Sequence, residues 1–353
     1  MTTFFLNRLA AEPHALAFAG QSTPWPVALA DQTTDPSLDE ALRGHVAAAG
    51  RLLTPVAADL LATTGRPVDL FGFAPNPARL GAAADATASV EGVALTQLGA
   101  LLDLEHLGYS VAQAKPLAVL GHSQGVLAVH MTRAIEAAGS IEAAGTTLDE
   151  ILAVAALIGA AGTRRVRELG LNPKYGEASP MLSVKGATRA QVEALVARVN
   201  NARGPISIAV TNSDNHHVLS GYPEDLAAFA LEAEREHQHQ AKLREQKLHG
   251  GTVFNPTLEY LEVTLPFHSP LMADAVEQTV AWAGACGFDQ KRTRALAEEV
   301  LLNHVDWNAR VKALFDDADP SKLWIVDLGP GNTLGKLIGN VVQGTGIGVV
   351  EAT

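Results

Sequence analysis

The sequence predicts an α/β protein: a large domain on a parallel sheet, with a small β-α-β-β-α-β domain inserted into it. Three observations predict this. Short apolar runs at Ala15–Ala19, Pro116–Leu120 and Leu323–Val326 are each followed by a glycine-bearing turn, and the second and third then lead into helical stretches. Between about 178 and 264 the texture changes to short strands alternating with helices. The length, 353 residues, exceeds that of one ordinary domain and leaves room for an insertion.

Taken in order, Ala15–Ala19 is a buried strand ending at Gly20-Gln21-Ser22. Helical periodicity covers about 38–64 and 93–107, then a strand at 116–120 and a helix from Val126, and a further helix over 148–169 ended by Gly170. The inserted series is Met181–Val184, a helix 189–199, Ile206–Val210, His217–Ser220, a helix 224–248 and Leu261–Thr264, which is the ferredoxin-like order. Helices near 269–285, 291–300 and 307–316, the strand Leu323–Val326, and a last helix and strand return to the large sheet. The expected division is 1–177 with 265–353, and 178–264 inserted.

Composition narrows the function. Hydrophobic residues at 47% and charged residues at 18% supply a sizeable core and exclude wholesale disorder. A net charge of −12 argues against nucleic acid or an anionic membrane as the main partner. Cys286 is the only cysteine, so neither an internal disulfide nor a zinc–thiolate cluster can form, which fits a reducing cytosol. Glu12, Pro13 and His14 interrupt the apolar N-terminus, which is therefore not read as a signal peptide. No apolar stretch long enough for a transmembrane helix is expected, and the chain reads as soluble and cytoplasmic. Its stop directly after the strand ending at Val350 reads as a truncation.

Gly121-His122-Ser123-Gln124-Gly125 carries the chemistry. It is the G-x-S-x-G pattern at a strand-to-helix turn, which makes the large domain α/β-hydrolase-like and Ser123 the candidate nucleophile. A serine hydroxyl needs a base within hydrogen-bond reach. His268, between prolines in Leu265-Pro-Phe-His-Ser-Pro270, is the strongest candidate. An oxyanion hole needs two backbone N–H groups; Gln124, after the nucleophile, and Gln21, on the loop after the first strand, are the candidates.

These segments, with Val326-Asp-Leu-Gly-Pro-Gly331, occur in the order seen in acyl-carrier-protein acyltransferases, and the chain resembles the acetyl transferase (AT) domain of a bacterial, actinobacterial type I fatty acid synthase. The resemblance implies a Ser–His dyad whose histidine is oriented by a backbone carbonyl, matched to Val300 in the segment Glu299–Trp307. It also implies an acyl-specificity position, where malonyl-specific members carry an arginine; Ile158 matches it. Without that cation a malonyl carboxylate would be buried unpaired, so the resemblance implies acetyl transfer. The implied substrates are acetyl-CoA and phosphopantetheinylated acyl carrier protein, with no tightly bound cofactor and no metal. Other domains of a fatty acid synthase are the implied neighbours. Arg165 lies on the same helical face as Ile158, while Arg164, Arg165 and Arg167 together read as a solvated or carrier-docking face.

Other signals are set aside. Gly329–Gly335 has the wrong spacing for a dinucleotide loop, and His237, His239 and His249 lack the three- or four-residue spacing of helical metal ligands. Lys185 and Arg189, with the charged stretch 234–249, are a weak alternative docking face for an acidic carrier. Three rivals remain: a malonyl or other acyl-CoA:acyl-carrier-protein transferase; a serine hydrolase (thioesterase or esterase), whose Ser…Asp…His order is not met, since Asp214 lies in the inserted domain and no histidine follows Asp327; and a silent carrier-docking module.

Overall fold

A computed structural model describes residues 11–65, 85–171, 178–199, 203–247, 253–317 and 319–351. His249 and the N-terminal ten residues lie outside them. The described strands form two sheets. The first is wholly parallel, in the order β2 (Ala118–Gly121), β1 (His14–Phe18), β8 (Trp324–Asp327), β9 (Gly348–Glu351). Every residue of β1 is buried, as befits a strand covered by helices on both faces. The mixed α/β architecture with a parallel sheet is thus the one expected.

The second sheet has the order β6 (Thr257–Tyr260), β3 (Met181–Lys185), β5 (His216–Ser220), β4 (Ser207–Ser213), β7 (Val305–Asp306). Its first four strands are antiparallel in a ferredoxin-like order, and the helices α7 (Arg189–Val196) and α8 (Pro223–Glu245) cross over between them. Leu182, Val184, Leu195, Leu226 and Phe229 form a hydrophobic cluster of its own beside the main core. The fifth strand departs from expectation. β7 comes from beyond the insertion and pairs parallel with β4, Val210 to Val305 and Thr211 to Asp306. The last inserted strand lies at 257–260 rather than 261–264, because its pairing with β3 places Tyr260 opposite Leu182.

Helices α1 (Trp25–Gln32), α2 (Pro36–Leu52), α3 (Ala57–Thr64), α4 (Ala86–His106), α5 (Val126–Ala138) and α6 (Ile141–Glu168) pack around the first sheet. The periodic run at 38–64 is broken because a short 3-10 turn at Thr54–Val56, with Pro55, separates α2 from α3. Ser140 caps α6 by accepting from the Ala143 N–H at 3.1 Å, so the helix starts seven residues before the predicted 148. Its 28 residues are long and apolar enough to cross a membrane, which corrects the sequence reading, but 67% of its most apolar 18-residue window is buried inside the protein. Gly159 sits on the Ala86 carbonyl of α4, so a larger residue there would push the helix off its neighbour, while Gly162 sits on the end of the Leu265 side chain. The chain then runs through α9 (Ala273–Ala285), α10 (Gln290–Leu301), α11 (Trp307–Lys312) and α12 (Thr333–Val342).

Candidate active site

Ser123 stands at the end of β2, where the chain turns into α5 with φ +53°, a left-handed conformation that costs an L-residue roughly 1–2 kcal/mol. Close packing on all sides holds it there. A Cβ on Gly121 would strike the Val126 amide, and one on Gly125 the Phe18 carbonyl, so the turn must be flanked by glycines. The first bond of the turn runs from the Gly125 N–H to the His122 carbonyl at 2.9 Å, so the N–H of Gln124 precedes the turn's own bonding, as the first N–H groups of any helix do.

The Ser123 hydroxyl donates to His268 Nε2 at 2.6 Å, while His268 Nδ1 lies 2.7 Å from the Asn303 carbonyl. A carbonyl can only accept, so Nδ1 carries the proton and Nε2 presents its lone pair to the serine. His268 has φ +56° and is 2% exposed. Burial lowers its pKa to about 3; the Asn303 carbonyl opposes this, and His122, His304 and Arg310 add to it. The imidazole is therefore neutral and able to take a proton. The orienting carbonyl belongs to Asn303, not Val300. Val300 is buried in α10, which ends at Leu301, and the turn that follows brings the carbonyl three residues further on to the ring.

The loop after β1 closes over the elbow. A Cβ on Gly20 would lie 2.7 Å from the His122 carbonyl and 2.9 Å from Ser123 Cβ, so only glycine lets this loop approach. Gln21 follows, its side-chain amide bonded to the Gln124 side chain, whose own amide donates to the Val90 carbonyl of α4 at 2.5 Å. Ser123, His268, Gln21 and Gln124 are thus brought together. Ile158 is not among them: it is wholly buried in α6 and does not line the cleft.

Sequence reasoning missed a layer behind the elbow. His122 donates Nε2–H to Asn212 of β4 at 2.8 Å and meets the Trp307 ring edge-on at 5.2 Å. Arg310 of α11 donates to the Gly121 carbonyl at 2.9 Å. The signal available was position alone, since the stretch Asn303–Trp307 adjoins the expected carbonyl. In front of Ser123 opens a cleft of about 1140 Å³ between the two sheets. Its lining includes Gln21, His122 and Phe267, Met181, Val210 and Val218 of the second sheet, and Thr333, Lys336 and Asn340 of α12.

A parallel sheet bearing a buried Ser–His pair on its elbow, with a ferredoxin-like insertion, is the fold of the carrier-protein transacylases. The structure is similar to a type II polyketide malonyl-transacylase solved with its acyl carrier protein (TM-score 0.65, 16% identity, 96% of each chain covered). It is also similar to an acyl carrier protein S-malonyltransferase from Vibrio cholerae (TM-score 0.63, 15% identity, 97% of each chain covered). Residues 180–260 match the family model of the fatty acid synthase central AT domain. Sequence relatives include the fatty acid synthase beta subunit TOXC of Cochliobolus carbonum, 26% identical over 66% of this chain and 12% of that protein. Another is the Saccharomyces cerevisiae fatty acid synthase subunit beta, 27% identical over 53% of this chain and 10% of that protein. The resemblance to fatty acid synthase acyltransferases therefore holds, with a chain that spans about an eighth of the length of the curated relatives it matches first.

Proposed function

We propose that this chain is an acyl-CoA:acyl-carrier-protein transacylase that loads an acetyl starter group. The observation that carries the reading is the 2.6 Å contact from Ser123 to a histidine whose other nitrogen is fixed by a backbone carbonyl. In the proposed reaction His268 Nε2 takes the Ser123 proton as Oγ attacks the thioester carbonyl. The N–H groups of Gln21 and Gln124 hold the oxyanion, and the imidazolium returns the proton to the departing CoA sulfur. The carrier's phosphopantetheine thiol then attacks the acyl-serine, giving its proton to His268, and Ser123 leaves with that proton. Acyl carrier protein and neighbouring synthase domains are the proposed partners, in a reducing cytosol.

Acetyl is favoured over malonyl because, among the described residues, no arginine lines the cleft. The α6 position that the resemblance matches to the malonyl-binding arginine is Ile158, buried outside the cleft, and Arg165 on the same helix is committed elsewhere: it donates to the Leu271 carbonyl at 2.9 Å and pairs with Asp274 at 2.8 Å. The hydrolase alternative loses its triad acid, because Asp214 bonds Asn308 at 2.7 Å and Lys312 at 3.1 Å and so is engaged away from His268.

Intact-mass measurement after incubation with acetyl-CoA or malonyl-CoA tests the proposal. One acetyl adduct on the wild type and none on Ser123→Ala is expected. An adduct that persists in Ser123→Ala refutes the mechanism, a malonyl adduct formed as readily refutes the specificity, and free acid release without a carrier favours the hydrolase.

A further inference from the structure

Lys336 differs from the other lysines lining the cleft. Lys185 pairs with Glu259 and Lys312 with Asp214, each at 3.1 Å, so both charges are neutralised in place. Lys336 has no carboxylate partner among the described residues, although Glu259 and Glu262 line the same cleft. It is exposed, on the face of α12 that also presents Thr333 and Asn340, at spacings of three and four residues that place the three side chains in one row. A hydroxyl, an ammonium and an amide in a row offer hydrogen bonds and one uncompensated positive charge. That is the chemistry that holds a phosphate.

We propose that Lys336, with Thr333 and Asn340, forms a phosphate subsite for the charged end of a pantetheine thioester lying along the cleft with its sulfur at Ser123. This rests on the transacylase reading. Both substrates of that reaction bear the chemistry, CoA in its pyrophosphate and ribose phosphate and the carrier in its phosphodiester. Because the ammonium faces solvent, its effect is modest and falls with salt.

The test titrates Ser123→Ala, which cannot turn over, with CoA, 4′-phosphopantetheine and pantetheine, alone and combined with Lys336→Gln or Lys336→Glu. Lys336→Gln is expected to weaken CoA about fivefold, Lys336→Glu to weaken it further, and neither to change pantetheine binding. An equal loss for 4′-phosphopantetheine assigns the subsite to the phosphate that CoA and the carrier share; a loss for CoA alone assigns it to the phosphates nearer adenosine. Unchanged CoA affinity, or the same loss for pantetheine, overturns the proposal. A wild type that acquires no acyl group yet binds CoA in a Lys336-dependent way refutes the transacylase reading alone.

Discussion

The Arg310 guanidinium donates to the Gly121 carbonyl at 2.9 Å, joining α11 to the residue on which the nucleophile's strand ends. Its charge also bears on His122 and His268, disfavouring the protonated form of both. Arg310 therefore positions the elbow and helps keep the base neutral. Arg310→Met should lower the rate of Ser123 acylation about tenfold, the worth of one charge-assisted hydrogen bond. Arg310→Lys should recover part of it. Stopped-flow acylation at several pH values checks this, and an unchanged rate and pH profile in the methionine variant would refute the role.

Asn303 acts through its backbone, so its side chain should be dispensable. Asn303→Ala is expected to stay within about threefold of wild-type acylation, whereas His268→Ala should lose several orders of magnitude, as removal of a general base does. A large loss in Asn303→Ala would mean that the amide itself takes part.

Gly20 permits a close approach that no other residue allows. Gly20→Ala puts a methyl 2.7 Å from the His122 carbonyl and 2.9 Å from Ser123 Cβ. The loop must back away, taking the Gln21 N–H with it. Overpacking of this kind costs about 1–3 kcal/mol of stability. In the proposed mechanism this displacement removes an oxyanion donor, a loss worth about a hundredfold or more in rate. Paired denaturation and acylation measurements should show an activity loss out of proportion to the stability loss.

Acid should destabilise the fold. His268, held at about 3, and His216, lowered to about 4 by burial, take protons less readily folded than unfolded, where both sit near 6.5. Between those values the unfolded state binds more protons, so stability is complete above about pH 6.5 and falls as the pH drops. From pH 7 to 5 His268 alone accounts for about 2 kcal/mol. Asp327, raised to about 6 by burial, works in the opposite direction between about pH 6 and 4. Urea midpoints at pH 7, 6 and 5 should fall on acidification, and His216→Gln should flatten the trend.

Much of the site was legible because its signals are local. Ser123 lies between a strand and glycines whose spacing has one steric explanation, and the Gly20–Gln21 turn follows a recognisable strand. His268 was reachable through its place after the insertion. The orienting carbonyl was not, because a backbone group leaves no trace in residue type and its position depends on where α10 ends. The layer of Asn212, Trp307 and Arg310 was invisible for another reason: each reaches the elbow from a distant segment, and ordinary core packing accounts for such residues equally well. The start of α6 escapes the sequence because Ile141–Thr147 holds mostly small residues with one large apolar side chain, so it depends on the Ser140 cap rather than on periodicity.

The pairing of β7 with β4 bears on how this fold can be recombined. A graft exchanging residues 178–264 alone would strip the transplanted sheet of its fifth strand and part Asp214 from Lys312. The exchangeable cassette has two pieces, the insertion and the segment from Asn303 to Lys312, and a chimaera carrying both keeps the histidine's carbonyl with the sheet that braces it.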